Sequence, residues 1–254
     1  MTVNRVAGYE RLYRDLSWAW PIISPPEDYR DEAEEFVRLV RENSRVDPHE
    51  LLHLGCGGGH IDAHIKKYLE VTGVDVSASM LRLARHLNPE VEYHRGDMRT
   101  TRLKRKYDAV IIADSISYMQ SEHDLAAAFG TSYWHLKPGG VFVTYVEETP
   151  NRFVQNRTVC SRRAKGDVEI VFVENAFDPD TDDTNFESTF VYLIRKSSRL
   201  RVEVDRHFQG IFPLKTWRRL LRQAGFWVKE IESGSPLSQE NLGPTFVCVK
   251  PLQG

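Results

Sequence analysis

The sequence predicts an α/β protein: a Rossmann-like, seven-stranded, mostly parallel sheet with helices on both faces, plus a small antiparallel β-meander inserted after strand five. Three observations carry this. The apolar run 51–54 leads straight into Gly55, Gly57, Gly58 and Gly59, and a helical pattern follows from 61 to 68. Strand, tight turn and helix start make the first half of a βαβ unit. β-rich runs and helical patterns then alternate as far as residue 148, which implies a parallel sheet with right-handed crossovers. Between 168 and 204, three β-rich runs follow one another with turn residues and no helical pattern between them.

The 254 residues allow one large domain, or one domain with a sizeable insertion. A net charge of −2 gives no electrostatic ground for a nucleic-acid partner, which usually demands a basic excess. No apolar run is long enough to span a bilayer, and the N-terminus lacks the apolar core of a signal peptide. Cys56, Cys160 and Cys248 are isolated and odd in number, so no disulfide framework is implied. These features favour a cytoplasmic protein without membrane association.

Residues 1–49 are expected to form a helical N-terminal lid segment. Tyr9, Leu12, Tyr13, Leu16, Trp18 and Trp20 make an aromatic-rich stretch, which Pro21, Pro25 and Pro26 interrupt. Ala33, Phe36, Val37 and Val40 recur at helical spacing between 29 and 42.

Residues 50–148 are the expected ligand-binding core. The glycines of 55–59 admit a ligand close to the backbone, because no Cβ atoms intervene. The helix behind them turns its free N–H groups toward the same spot. The second strand, 70–75, ends on Asp75, where an acid can accept from both hydroxyls of a ribose. Asp75 or Ser77 could equally cap the helix running from about 79 to 87. Gly96, Asp97 and Met98 follow the third strand, at 91–94, and Asp114, Ser115 and Tyr118 belong to the fourth strand and the loop beyond it, a stretch that begins at Tyr107. A helix from 122 to 135 leads to Pro138-Gly139-Gly140 and a fifth strand. Ligands in such sheets sit beyond the carboxyl ends of the strands, which gathers these residues around one pocket. His53, His60 and His64 lie close to Asp62, but no further ligand of fitting spacing accompanies them, and no metal site is expected.

Residues 149–212 hold the meander, with runs at 168–173, 186–194 and 200–204. In the last run Leu200, Val202 and Val204 alternate with Arg201, Glu203 and Asp205, the pattern of a half-buried strand. His207 falls on its polar face, where a solvent-facing role is one expectation. Residues 213–254 complete the sheet with a helix at 214–224, Gly225 at its C′ position, strands at 226–232 and 245–250, and a turn at 241–244.

Five stretches, in order and at fitting spacing, resemble the class I S-adenosylmethionine (SAM)-dependent methyltransferases. They are the G-x-G-x-G of Gly55, Gly57 and Gly59; Asp75; Gly96-Asp97-Met98; Tyr107-Asp108-Ala109-Val110; and Leu136-Lys137-Pro138-Gly139-Gly140. His53 stands where that family often has an acid. The layout is similar to the deoxysugar N,N-dimethyltransferases of antibiotic pathways, with His207, Phe212, Trp217, Ala224 and Gly225 matching their final run. Tyr118 stands where those enzymes often carry a histidine.

The resemblance implies the class I methyltransferase fold, with SAM as cofactor and S-adenosylhomocysteine as product. It implies cofactor contacts from Tyr13, Tyr29, Gly55, Cys56, Gly57, Gly59, Asp75, Val76, Met80, Gly96, Asp97, Met98, Asp114 and Ser115. Aromatic faces from the N-terminal segment would cover the cationic sulfonium. The acceptor is expected to be a small molecule bearing an amine or a hydroxyl. Tyr118 and His207 are the catalytic candidates, with Asp114 beside them; Tyr118 could also simply pack under its loop. A homodimer could pair through the exposed meander edge. Two alternatives stand beside this: a SAM-binding accessory or regulatory protein without methyl transfer, and a nicotinamide-dependent oxidoreductase. His60, at the third-glycine position of the dinucleotide fingerprint, argues against the second, because a bulky residue there blocks close helix–strand packing.

Overall fold

The computed structural model describes residues 9–231 and 243–252. Short 3₁₀ turns at Arg11–Tyr13 and Ser17–Ala19 lead into α1 (Trp20–Ile23), and another at Pro26–Tyr29 leads into α2 (Arg30–Asn43). The core follows as β1 (Glu50–Leu54), α3 (Asp62–Ile65), β2 (Glu70–Asp75), α4 (Ala78–Leu87), β3 (Glu92–Arg95), β4 (Tyr107–Ile112), α5 (Glu122–His135) and β5 (Leu136–Tyr145). Four strands come next: β6 (Arg157–Lys165), β7 (Val168–Phe177), β8 (Asn185–Lys196) and β9 (Arg199–Gly210). The chain closes with α6 (Leu214–Gln223), β10 (Trp227–Ile231) and β11 (Thr245–Val249). Part of the expected turn at 241–244, including Asn241, lies outside the described residues.

The seven-stranded sheet runs β3-β2-β1-β4-β5-β11-β10, parallel except for β11. Its central strands read as unbroken apolar runs because both faces are covered. One face packs Leu51, Ile111 and Val143 against Phe36 and Val40 of α2. The other packs Leu52, Val110 and Phe142 against Phe129 of α5 and Trp217 of α6. All four positions predicted for the buried stripe of α2 are buried.

Three local expectations need correction. The helix after the glycine turn is one turn long, Asp62–Ile65, because the chain must be back in the sheet by Glu70, whose N–H already bonds the His49 carbonyl. The meander has four strands rather than three. Its first strand, β6, is charged and mostly exposed at the sheet edge, and so gives no hydrophobic signal. The faces of β9 are also the reverse of what its apolar residues suggest. Leu200, Val202 and Val204 are about half exposed, whereas Asp205 and His207 are fully buried. The N-terminal segment causes this by docking on the polar face: Leu12 N–H donates to Asp205 at 2.7 Å, and Arg11 pairs with Glu203 at 2.6 Å. In a strand the partners laid over a face, not its composition alone, decide which set goes inside.

The same docking builds a third core, in which Leu12, Leu16, Ala19 and Met80 meet Ile170, Phe190 and Tyr192 of the meander. The N-terminal segment is therefore the mortar between the two sheets. Among the described residues, no helix is long and apolar enough to cross a membrane.

His135 closes α5 and is fully buried. Its Nδ1–H donates to the Thr131 carbonyl at 2.8 Å, and Nε2 accepts the Leu103 N–H at 3.0 Å. A second proton would break the latter bond, and burial pushes the imidazole down to about 4. The unfolded chain therefore binds the proton first as the pH falls, and stability is lost between about pH 6.5 and 4. Urea midpoints at pH 7 and pH 4.5 should show wild type losing roughly 2 kcal/mol through this group, and His135→Gln should lose less. Equal losses in both proteins would remove His135 as the cause.

Candidate functional site

A cavity of about 380 Å³ opens at the carboxyl ends of β1, β2 and β4. Its floor is the turn after β1. Gly55, Gly57 and Gly59 have φ of +75°, +51° and +74°, a left-handed backbone that favours glycine. A Cβ on Gly55 would strike Ser115 and Met98, whereas at Gly57 it would meet nothing within 4 Å. Gly57 is thus the point where the backbone lies open to a ligand.

A buried polar network holds the turn from behind. His53 Nδ1 meets Asp62 Oδ1 at 2.7 Å, and the other Asp62 oxygen accepts from the Tyr93 hydroxyl at 2.9 Å. Asn88 Nδ2 donates to both Tyr93 Oη, at 3.0 Å, and the Gly59 carbonyl, at 2.8 Å. Gly59 does not line the cavity and faces this network. Its sequence-assigned ligand contact is corrected accordingly: a Cβ there would lie 2.6 Å from Tyr93 Oη and 2.7 Å from Asn88 Nδ2. The histidines near the turn are all engaged structurally, His64 through Nε2 to the Pro26 carbonyl at 2.8 Å.

Asp75 closes β2 at the cavity wall. Its Oδ2 accepts the Gly57 N–H at 2.9 Å, and its Oδ1 accepts the Ser77 N–H at 2.7 Å. Burial raises the carboxyl somewhat, and the two N–H bonds oppose that. Ser77 is the true cap of α4, accepting from Met80 N–H, which leaves Asp75 lone pairs for a ligand. Val76, Met80, Gly96, Asp97 and Met98 line the adjoining wall. Arg99 grips both Asp97 oxygens, at 3.0 Å and 2.7 Å, and holds that carboxyl below the ordinary range.

The opposite wall carries Tyr13, Tyr29, Asp114, Ser115 and Tyr118, and Cys56 lines the turn. Trp20, one of the aromatic residues ahead of the glycine turn, stacks on His60 at 5.8 Å beside that turn, with the Tyr29 ring edge on His60 at 5.6 Å. Burial pushes His60 down to about 4, so it is neutral at pH 7. His60, Glu10, Arg99, Gln120 and Asp124 also line the cavity, and none of them had a signal for it in the sequence. Behind Asp114 lies an acidic set. The Tyr145 hydroxyl donates to Asp114 and lies 3.1 Å from Glu32, whose carboxyl burial pushes up to about 8. His207 does not reach the cavity, and its expected solvent-facing role is ruled out by full burial: it stands behind Tyr118.

Comparison with known proteins agrees with this geometry. Residues 51–140 match the family described as a methyltransferase domain. The dTDP-3-amino-3,4,6-trideoxy-alpha-D-glucopyranose N,N-dimethyltransferase of Streptomyces venezuelae is 37% identical over 46% of this chain and 49% of its own length, so about half of that relative is matched. The dTDP-3-amino-3,6-dideoxy-alpha-D-glucopyranose N,N-dimethyltransferase of Streptomyces fradiae is 28% identical over 82% of this chain and 81% of its own. The crystal structure of Streptomyces venezuelae DesVI superposes with a TM-score of 0.81 at 26% identity, covering 93% of this chain and 96% of that one. SAM-bound CalS10, an amino pentose methyltransferase from Micromonospora echinaspora, gives 0.77 at 24% identity over 87% and 91%. Residues 51–140 are therefore similar to methyltransferase domains, and the chain has the fold of these proteins.

Gly59→Ala tests the network behind the turn. The forced left-handed residue and the clash with Tyr93 and Asn88 should lower stability by about 1–3 kcal/mol, and ligand binding at the turn should weaken with it. Gly57→Ala, with strain but open space, should cost less in stability. Matching thermal midpoints for the two variants would mean the network does not press on Gly59.

Proposed function

We propose that this chain, a class I SAM-dependent methyltransferase, methylates the nitrogen of a small amine-bearing acceptor, and that the acceptor is a nucleotide-linked amino sugar like those named for its relatives. The observation that carries the reading is the pairing of an open glycine turn with the Asp75 carboxylate, bonded to the Gly57 N–H at 2.9 Å on one cavity floor. An oxidoreductase is disfavoured by the filled position behind the turn, where His60 packs under Trp20. Nothing favours a binding protein without transfer.

The residues fit SAM in named roles. Asp75 accepts from the ribose hydroxyls through its remaining lone pairs. Val76, Met80 and Met98 flank the adenine, Asp97 accepts from its amine, and Gly96 lets the chain pass close to Thr101, where a Cβ would clash. Gly55, Cys56 and Gly57 approach the ligand by backbone. Tyr13, Tyr29 and Trp20 turn ring faces or edges to the sulfonium side, and Asp114 and Ser115 hold the polar end. Bound there, SAM supplies an electrophilic methyl group, and the protein's task is to align an acceptor nitrogen with it. The acceptor side carries carboxyl groups: Asp114 stands at the wall, and burial and Asp114 push the nearby Glu147 toward its neutral form, which an incoming cation reverses. This suits an ammonium-bearing substrate. Tyr118 is the cavity-facing group on that side, and His207 acts only through it.

Two coarser features belong to the same proposal. The outer face of the meander carries Val171, Val173, Val191, Leu193, Val202 and Val204 in register, with the β9 members about half exposed. Such an apolar face is of the kind that pairs with a second copy. The three cysteines are all free, which suits a cytoplasmic location.

Calorimetric titration with SAM, S-adenosylhomocysteine and NADH tests the pocket first. Micromolar binding of the first two without NADH is expected, followed by methyl incorporation into dTDP-amino sugars. Binding of NADH alone would overturn the assignment. Asp75→Ala should weaken SAM binding by roughly 1.5–3 kcal/mol, the scale of hydrogen bonds to a charged group; unchanged affinity would remove Asp75 from the ribose. Sedimentation should show a dimer that the double change Val202→Lys, Val204→Lys dissociates, and a monomeric wild type would refute the pairing.

A further inference from the structure

Four side chains from three separate stretches form one unbroken line behind the cavity. Tyr13 donates to Tyr118 Oη at 2.8 Å, Tyr118 Oη meets His207 Nδ1 at 2.8 Å, and His207 Nε2 meets Asp205 Oδ2 at 2.8 Å. Tyr13 and Tyr118 line the cavity, whereas His207 and Asp205 are fully buried. The line is held from outside by Leu12 N–H, which also donates to Asp205 Oδ2, at 2.7 Å. The Phe190 ring lies 4.2 Å from the imidazole and the Tyr13 ring edge 5.5 Å, so His207 has little freedom to turn.

The chemistry of each group fixes the direction of every bond. A carboxylate only accepts, so the proton between Asp205 and His207 sits on Nε2. Nδ1 is then bare and must accept from Tyr118 O–H. The Tyr118 oxygen, its own proton directed at Nδ1, accepts from Tyr13 O–H. The Tyr13 oxygen is left with lone pairs at the cavity. Burial raises both phenols well above their ordinary range, so neither is a base by itself. Each can take a proton only while passing one on. The second Asp205 oxygen, Oδ1, is buried without a hydrogen-bond partner, so the carboxylate's charge is poorly compensated until a cation forms beside it. The other ionisable groups facing this site are Glu174 on β7, which His207 influences, Tyr192 on β8, close to Asp205, Tyr13 and Arg11, Asp75 and Asp114 acting on Tyr13, Glu10 acting on Tyr118, and Glu147 acting on both phenols.

We propose that Tyr13, Tyr118, His207 and Asp205 form a proton wire that removes the proton from the acceptor ammonium. The inference rests on the N-methyltransferase assignment. The acceptor N–H bond breaks and its proton bonds to Tyr13 Oη, the Tyr13 proton moves to Tyr118 Oη, and the Tyr118 proton moves to His207 Nδ1. The electron pair stays on the acceptor nitrogen as the nucleophilic lone pair. The imidazolium so formed is held between Asp205 and Tyr118. Tyr13 is the group that touches the substrate; Tyr118 and His207 carry the proton onward, and Asp205 is a positioning residue that fixes the tautomer, as the buried acid does in a hydrolase triad.

The wire is tested in the whole protein. Nitrogen-15 spectra of histidine-labelled enzyme at pH 8, with SAM absent, should show His207 protonated at Nε2 and bare at Nδ1; the assignment comes from the signal lost in His207→Gln or moved in Tyr118→Phe. A proton on Nδ1 would overturn the proposal. With a dTDP-amino sugar as acceptor, Tyr118→Phe should lower kcat about 100-fold, the usual scale of acid–base assistance, with SAM affinity unchanged. Asp205→Asn keeps an oxygen for Leu12 N–H but removes the charge beside the ring. The acidic limb of its kcat profile should move to lower pH by about one unit, with a lower plateau. An unmoved limb would reduce Asp205 to a structural role and refute the wire. The tautomer is decided without any acceptor, so absence of turnover would count against the N-methyltransferase assignment alone.

Discussion

The structure depends on one buried carboxylate, Asp62, which has no exposed surface and is held by His53 and Tyr93. A buried acid is tolerated only when its lone pairs are used, and here each use ties the glycine turn to something rigid. His53 is part of β1, Tyr93 of β3, and Asn88 links Tyr93 to the Gly59 carbonyl. The turn that carries the ligand-facing backbone is thus fixed by side chains from three strands and helices rather than by its own sequence.

The N-terminal segment performs the second structural task. It contributes little regular structure beyond short 3₁₀ turns and α1, whose first turn holds Pro21, yet its apolar residues fill the gap between the two sheets. Tyr13 shows how one residue joins several layers. Its carbonyl accepts from Ser77, the cap of α4, at 2.5 Å, and its hydroxyl meets Tyr118. Its ring stands edge-on to His207. One side chain therefore ties the cavity wall to α4, to Tyr118 and to the meander.

Much of the core was legible because it obeys simple periodicities. The order of strands and helices from 50 to 148 follows from unbroken apolar runs and glycine turns, and α5 begins and ends where its cap and the Leu136 strand require. Asp75, Met98 and Ser115 were legible as pocket residues because a parallel sheet offers one crevice at its carboxyl edge. Strand β6 was not, since an exposed edge strand needs no apolar residues. Gly59 was misplaced because a glycine spacing does not tell which glycine faces a ligand and which faces the support behind it.

By itself, then, the sequence determined the parallel sheet, the glycine turn with its acid at the next strand, and the aromatic cover ahead of them, since each is written in local spacing and backbone freedom. Tertiary structure decided which face of β9 goes inside. The alternation of Leu200, Val202 and Val204 with charged residues favours burying the apolar set, but Leu12 and Arg11 bring hydrogen bonds and an ion pair to the polar set and cover it. That choice carries His207 and Asp205 into the interior, in line with two tyrosines that are 105 residues apart in the chain. No local pattern encodes such a line. It arises where three segments distant in sequence must satisfy each other's polar atoms in a place water does not reach.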